Sequence, residues 1–282
     1  MTTLTRTMRQ MVLMGVAALA CTGTIASAAE PIKTFAWPVP TERSPLAKTP
    51  KVALLIGNSY SFYNCGVHGA LRGFMQATNP AISMKTRLLT ISSGSLSFHD
   101  VAHYLAPHEL DPYAKLENGK LAHPMFDVVL LQENSAGALS KKRIDAFMRY
   151  SAEHAKTIRD AGSTPMLIMT WAKEGKPDDI KVIAENTVAA ANAARMRVVP
   201  VGLAFDLVRK RAPDIRLTMT EDNHHPNAAG TYLYAAVLYA VLFNRSPEGL
   251  DFVGGCEKPL DKAVAEQLER FAWETVQAFE GK

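Results

Sequence analysis

The residue types best suited to chemistry sit in two short turns. The first is Gly57-Asn58-Ser59-Tyr60, directly after the apolar run Val52-Ala53-Leu54-Leu55-Ile56. A serine on a tight strand-to-helix turn stands at the mouth of a sheet. There its hydroxyl can meet a ligand, and nearby N–H groups can face a developing oxyanion. The same serine would also serve as a helix N-cap with no chemistry. The second turn is Glu221-Asp222-Asn223-His224-His225-Pro226-Asn227, ahead of an apolar helix. Asp222 and His225, three apart, can lie on one side of a turn. The carboxylate then accepts from one ring nitrogen and leaves the other free as a base. Asp222, His224 and His225 are also possible metal ligands, and the segment would equally suit a polar helix start. A serine nucleophile needs a base, and here is one with its orienting acid, so the two turns support each other.

Other signals are weaker taken singly. In Ser92-Ser93-Gly94-Ser95, the glycine lets the backbone approach a substrate oxygen and offer an N–H. In Gln132-Glu133-Asn134-Ser135, a carboxamide can donate to an oxyanion. Plain turn chemistry accounts for both stretches as well. Tyr60 and Tyr63 flank the serine and can line its pocket, and Trp171 can stack on a sugar ring or cap the core. His99 and His103 have the spacing of zinc ligands on a helix, but no third ligand follows by spacing. A solvated or pocket-lining pair fits them better, with His99 placed to brace the loop at Gly94.

These residues need elements to hold them. Continuous or alternating apolar runs predict five strands, at 52–56, 84–91, 126–131, 166–169 and 197–201, with Pro200 suited to an edge. Helical patterns fall at 67–78, 99–105, 140–160, 180–194, 203–211, 227–243 and 261–279. On 140–160, Ile144, Phe147, Met148, Ala155 and Ile158 share one face. Alternating strands and helices imply a parallel sheet with helices on both faces, and ligands in such folds bind beyond the carboxyl ends of the strands. The Pro- and Gly-containing stretch 106–124 reads as a long loop able to cover that mouth.

The chain has 282 residues, enough for one substantial core. With 48% hydrophobic and 21% charged residues, it is not a disordered chain. No period of repeats is visible, which argues against a solenoid or propeller. A net charge of +4 without a concentrated basic patch argues against a nucleic-acid partner; the run Arg209-Lys210-Arg211 reads as a solvated helix end.

Residues 1–28 read as an export signal. Arg6 and Arg9 precede the apolar run Met11 to Ala20, and Ala26-Ser27-Ala28 fits a cleavage site. The run is too short for a membrane span. Lipid attachment at Cys21 is a weaker fit. Cleavage removes two arginines and no acids, leaving 29 basic and 27 acidic residues, or +2. Cys65 and Cys256 then remain, either paired across nearly the whole domain or as two free thiols. Residues 29–50 carry five prolines and read as an extended lead-in, and 51–282 as the functional domain.

The order of the motifs resembles the SGNH (GDSL-like) hydrolase superfamily. Those motifs are the serine turn after strand one, Gly94 after strand two, Asn134 after strand three, and Asp-x-x-His-Pro before a helix. The similarity spans roughly residues 51–243. The chain departs from the family's Gly-Asp-Ser at Asn58, and from its Gly-x-Asn-Asp at Gln132-Glu133-Asn134-Ser135. The resemblance implies a three-layer α/β/α sandwich with a five-stranded parallel sheet. It also implies ester hydrolysis by Ser59, His225 and Asp222, without a metal or cofactor. The oxyanion would be held by the N–H groups of Ser59 and Gly94 and by the Asn134 amide, with Gln132 as the alternative. Tyr60, Trp171 and His99 are the candidate substrate contacts. The expected protein is an exported esterase, periplasmic or extracellular, acting on small acyl esters or an acylated glycan. A lipase, thioesterase or acyltransferase with the same triad is the first alternative. A non-catalytic binding module of the same fold is the second. The sequence sets no oligomeric state.

Overall fold

Apolar strands covered on both faces order this chain, and their pattern is visible residue by residue. The computed structural model describes residues 37–106, 116–117, 120–121, 124–256 and 258–282. The segment expected to be an export signal, the start of the proline-rich lead-in and most of the expected loop at 106–124 lie outside the described residues. Strand β1 (Val52–Gly57) is followed by helices α1 (Ser59–Phe62) and α2 (Val67–Gln76), then β2 (Lys85–Thr90). A 3-10 turn (Leu96–Phe98) and α3 (Val101–Tyr104) come next, then a two-stranded hairpin of β3 (Leu116–Glu117) and β4 (Lys120–Leu121). The chain continues through β5 (Val128–Gln132), α4 (Ile144–Asp160), β6 (Thr164–Ile168), α5 (Asp179–Ala193) and β7 (Arg197–Val199). Helices α6 (Val201–Arg211), α7 (Ala228–Phe243) and α8 (Lys262–Glu280) close it.

The main sheet is five-stranded and parallel throughout, in the order β2-β1-β5-β6-β7. Successive side chains leave a strand on opposite faces. In β1, Ala53 and Leu55 therefore enter one core with α2, α6, α7 and α8, while Leu54 and Ile56 enter another with α3, α4 and α5. Helix α7 is apolar all round because it packs against α2, α6 and α8, which buries all but its first and last residues. The expected three-layer α/β/α architecture with five parallel strands is the one observed.

Several boundaries moved for local reasons. Pro200 does not lie in the last strand: with no N–H to extend the ladder, it ends β7 and caps α6. The segment 99–105 is not one helix. His99 ends the 3-10 turn in an extended conformation, and Asp100 caps α3 by accepting from the His103 N–H. His99 and His103 therefore do not share a helix face. Residues 37–50 carry no regular element, as their prolines suggest, and Thr41 is held by the Asn192 side chain of α5. Cys65 and Cys256 are joined in a disulfide across a separation of 191 residues.

Candidate functional site

The two turns meet at the carboxyl end of β1. Gly57 ends that strand with the Gln132 side chain directly over its Cα, where a Cβ would lie 2.5 Å from Oε1. Asn58 is the N-cap of α1; its Oδ1 accepts the Tyr60 N–H at 3.1 Å. Ser59 is thus released from capping and stands on the first turn of the helix. Its Oγ lies 2.7 Å from His225 Nε2. His225 Nδ1 lies 2.6 Å from Asp222 Oδ2, and Asp222 Oδ1 accepts the N–H groups of His224 and His225 at 2.9 Å each.

These contacts set the charge at Asp222. Desolvation works against the carboxylate, but the His224 N–H, the His225 ring and the His225 N–H together hold its carboxyl well below the usual range. His224 is lowered from the ordinary imidazole value, chiefly by burial and then by the neighbouring His225. Among the described residues, Asp222, His224 and His225 are the only cluster of three donors close enough for a metal, with ligand atoms within 4.8 Å of one another. Both ring nitrogens of His225 and both oxygens of Asp222 are already engaged as described, so the set is organised as a hydrogen-bonded relay.

The histidine turn is anchored on several sides. Asn223 takes a left-handed φ of 62°, and its carbonyl and side chain accept from Glu174 N–H and Arg216. Asn64 donates to the Pro226 carbonyl at 2.7 Å and to Thr231 Oγ1 at 3.1 Å, joining the turn after α1 to the start of α7. The Tyr63 ring stacks on His225 at 4.2 Å. Beneath them, Tyr60, Trp171 and Phe205 form a stack with centroid spacings of 4.5 and 4.3 Å. Trp171 Nε1 donates to the His224 carbonyl at 2.9 Å.

Burial therefore changes the expected substrate contacts. Tyr60, Trp171 and His99 are only 3%, 1% and 4% exposed and lie under the site, not at its mouth. His99 Nε2 meets the Gly57 carbonyl at 3.0 Å, so it braces the serine turn. The oxyanion assignments shift as well. The Gly94 N–H is engaged with the Ile91 carbonyl at 2.9 Å, and the residues of that turn facing the cavity are Ser92 and Ser93, the latter with a left-handed φ of 55°. Gln132 is buried and fully committed: Nε2 donates to Asn58 Oδ1 and the Glu133 carbonyl, while Oε1 accepts from Asn58 N–H and Ser61 Oγ. Asn134 does not line the cavity either; its Nδ2 donates to the Ser93 carbonyl at 2.9 Å.

A cavity of about 640 Å³ opens over Ser59 and His225, walled by Phe62, Tyr63, Asn64, Thr90 and Ser93. Phe62, Asn64, Thr90 and Ser93 were not singled out from sequence. The available signal was position alone, since each falls within five residues of a strand's carboxyl end or of the serine.

The sequence matches no known family pattern and no curated protein. Solved structures do share the fold. One is described as a DUF4886 family protein from Bacteroides uniformis, at 19% identity and a TM-score of 0.60, covering 80% of this chain and 94% of that one. Another, described as an SGNH hydrolase from Slackia heliotrinireducens, has 22% identity and a TM-score of 0.51, covering 68% and 98%. An acetyl xylan esterase has 14% identity and a TM-score of 0.52, covering 67% and 98%. At these identities the likeness is one of fold, and that fold is the SGNH-hydrolase fold.

Proposed function

We propose that this chain, with its SGNH-hydrolase fold, is a serine esterase that removes short acyl groups, acetyl above all, from an alcohol. The observation that carries the reading is the unbroken relay from Ser59 Oγ through His225 to Asp222 at 2.7 and 2.6 Å, opening on a cavity. In the proposed mechanism His225 Nε2 takes the Ser59 proton as the hydroxyl oxygen attacks the ester carbon. Asp222 holds the ring in the tautomer that accepts at Nε2 and stabilises the imidazolium. The Ser59 N–H and the Ser92–Ser93 turn face the oxyanion, a placement in which each donor is typically worth about 10²–10³ in rate. Collapse breaks the ester C–O bond, and the proton on His225 passes to the leaving alcohol. Water, deprotonated by the same nitrogen, then attacks the acyl carbon; the bond to Ser59 Oγ breaks, the proton on His225 returns to that oxygen, and the acid leaves.

A carbohydrate alcohol is part of the proposal. Its support is the exposed Phe62 and the stacked Tyr63 at the rim, and the acetyl xylan esterase among structures of this fold. Export is also proposed. Its support is the Cys65–Cys256 disulfide, which suits an oxidising compartment.

The test is hydrolysis of 4-nitrophenyl acetate and of longer-chain 4-nitrophenyl esters, beside Ser59→Ala. Turnover of the acetate that is lost in the variant supports the reading. A preference for long acyl chains would move it to a lipase. Equal inertness of both proteins toward aryl and sugar esters would sink it.

A further inference from the structure

A second cavity, of about 290 Å³, adjoins the first; Ser93 lines both. Its wall differs in character from that around Ser59. Lys142 and Arg143 stand on one side, just before α4, as part of the basic run Lys141-Lys142-Arg143. Ser95 and Ser97 present hydroxyls 2.8 Å apart, and Phe98, 63% exposed, offers an aromatic face. One acid, Glu133, also borders the space, but it is buried and both its oxygens are occupied. Oε1 accepts the Asn134 N–H at 2.6 Å and Oε2 the Leu96 N–H at 3.1 Å. Among the described residues Lys142 has no carboxylate partner. Glu133 offsets part of the charge of Arg143, and with Lys142 added the wall keeps a net positive charge, reinforced by the N-terminal end of the 17-residue helix α4.

The cationic wall is also wired to the serine pocket. Arg143 donates to Asn134 Oδ1 at 3.1 Å, and Asn134 Nδ2 donates to the Ser93 carbonyl at 2.9 Å. Arg143 therefore sits two hydrogen bonds from the turn that faces the oxyanion, and a ligand it holds sits three.

We infer that this cavity is a subsite for a carboxylate on the alcohol half of the ester, so that the substrate is an acylated acidic sugar. The inference rests on the esterase reading. A planar carboxylate suits the guanidinium fork of Arg143, with Lys142 as a second point charge. The serine hydroxyls and the Phe98 ring suit a sugar's hydroxyl edge and its C–H face.

Two measurements test it. In the first, kcat/KM is compared for O-acetyl glucuronate and O-acetyl glucose, which differ in one carboxylate. The acidic ester should be preferred at least tenfold in low salt, and the ratio should collapse toward one in Lys142→Glu and fall in Lys142→Gln and Arg143→Lys. A wild-type ratio near one, or a ratio indifferent to these variants, overturns the subsite while leaving the esterase intact. In the second, glucuronate and glucose are titrated calorimetrically into the Ser59→Ala protein, which needs no turnover. Glucuronate should bind at least tenfold tighter, weaken with salt, and lose that margin in Lys142→Glu. Equal affinities would overturn the subsite even if the wild-type enzyme proved inert, an outcome that by itself would count against the esterase.

Discussion

Asn58 and Gln132 face each other as two carboxamides, and that pairing explains the departure from Gly-Asp-Ser. Asn58 Oδ1 accepts from Tyr60 N–H and Gln132 Nε2, while its Nδ2 donates to the carbonyls of Gly94 and Glu133 at 2.9 and 3.3 Å. A carboxylate could only accept, so Asn58→Asp would set an anion against two carbonyl oxygens in a buried site. That variant, though nearer the family pattern, should lose at least about 2 kcal/mol. For a chain of this size the loss is a fall of about 4–8 °C in melting temperature, measurable by calorimetry. Asp222 makes the complementary case. Asp222→Asn keeps the shape of the turn but favours the wrong His225 tautomer, and kcat on the acetyl ester should fall by about 10⁴ with KM changed little. A variant that retained wild-type kcat would show that Asp222 does no more than shape the turn.

At the scale of elements, the site is a junction between the ends of β1, β2 and β5 and the turn before α7, and two supports hold that turn. Trp171 bridges Tyr60 and Phe205 and holds the His224 carbonyl, so it acts as a positioning residue through His225. Trp171→Leu should cost about 3 kcal/mol by analogy with large-to-small core changes. It should also lower kcat more than it raises KM, whereas a purely structural role would lower active enzyme without moving kcat per folded molecule. The Cys65–Cys256 disulfide ties the turn after α1 to the segment before α8. Replacing both cysteines by serine should cost about 2–5 kcal/mol, read as a lower denaturation midpoint. How far sequence could see this varies by residue. Strands β1, β5 and β6 were legible because doubly covered strands are apolar nearly without interruption, β2 because its residues alternate, and Asp222 to His225 because the relay lies within one turn. The roles of Tyr60, Trp171 and His99 were not legible: a residue at a strand end is equally placed to face the mouth or the core, and only packing decides. Gly94 misled because glycine marks a turn without saying which of its N–H groups the turn itself consumes.

Across the whole molecule, buried ionisable groups make stability depend on pH, and three of them surround the turn that supports the serine. His99 donates to the Gly57 carbonyl, His154 to the Leu96 carbonyl at 2.8 Å, and Glu133 accepts from the Leu96 N–H. Burial, opposed in part by these backbone hydrogen bonds, holds both histidines below the ordinary 6.5. Burial of Glu133 pushes its carboxyl above the ordinary 4.5. The signs oppose each other. A base with a lowered folded-state value contributes stability that is present above 6.5 and lost as pH falls, because the unfolded chain takes up the proton first. An acid with a raised value is easier to keep folded when protonated, so its burial weakens the fold as pH rises above 4.5. Each proton's difference between the two states amounts to about 1.4 kcal/mol per pH unit. His68 and His224 are lowered as well, and Glu269, whose carboxylate accepts from the Tyr232 hydroxyl, is raised. Four imidazoles then stand against two carboxyls between pH 4.5 and 6.5. The imidazoles should prevail, and the melting temperature should decline as pH falls from 7 to 5. His99→Gln keeps a donor for the Gly57 carbonyl but cannot titrate, so its decline over that interval should be shallower than the wild type's. Parallel curves for the two proteins would show that proton uptake at His99 plays no part. A melting temperature that rises toward pH 5 would show instead that Glu133 and Glu269 dominate.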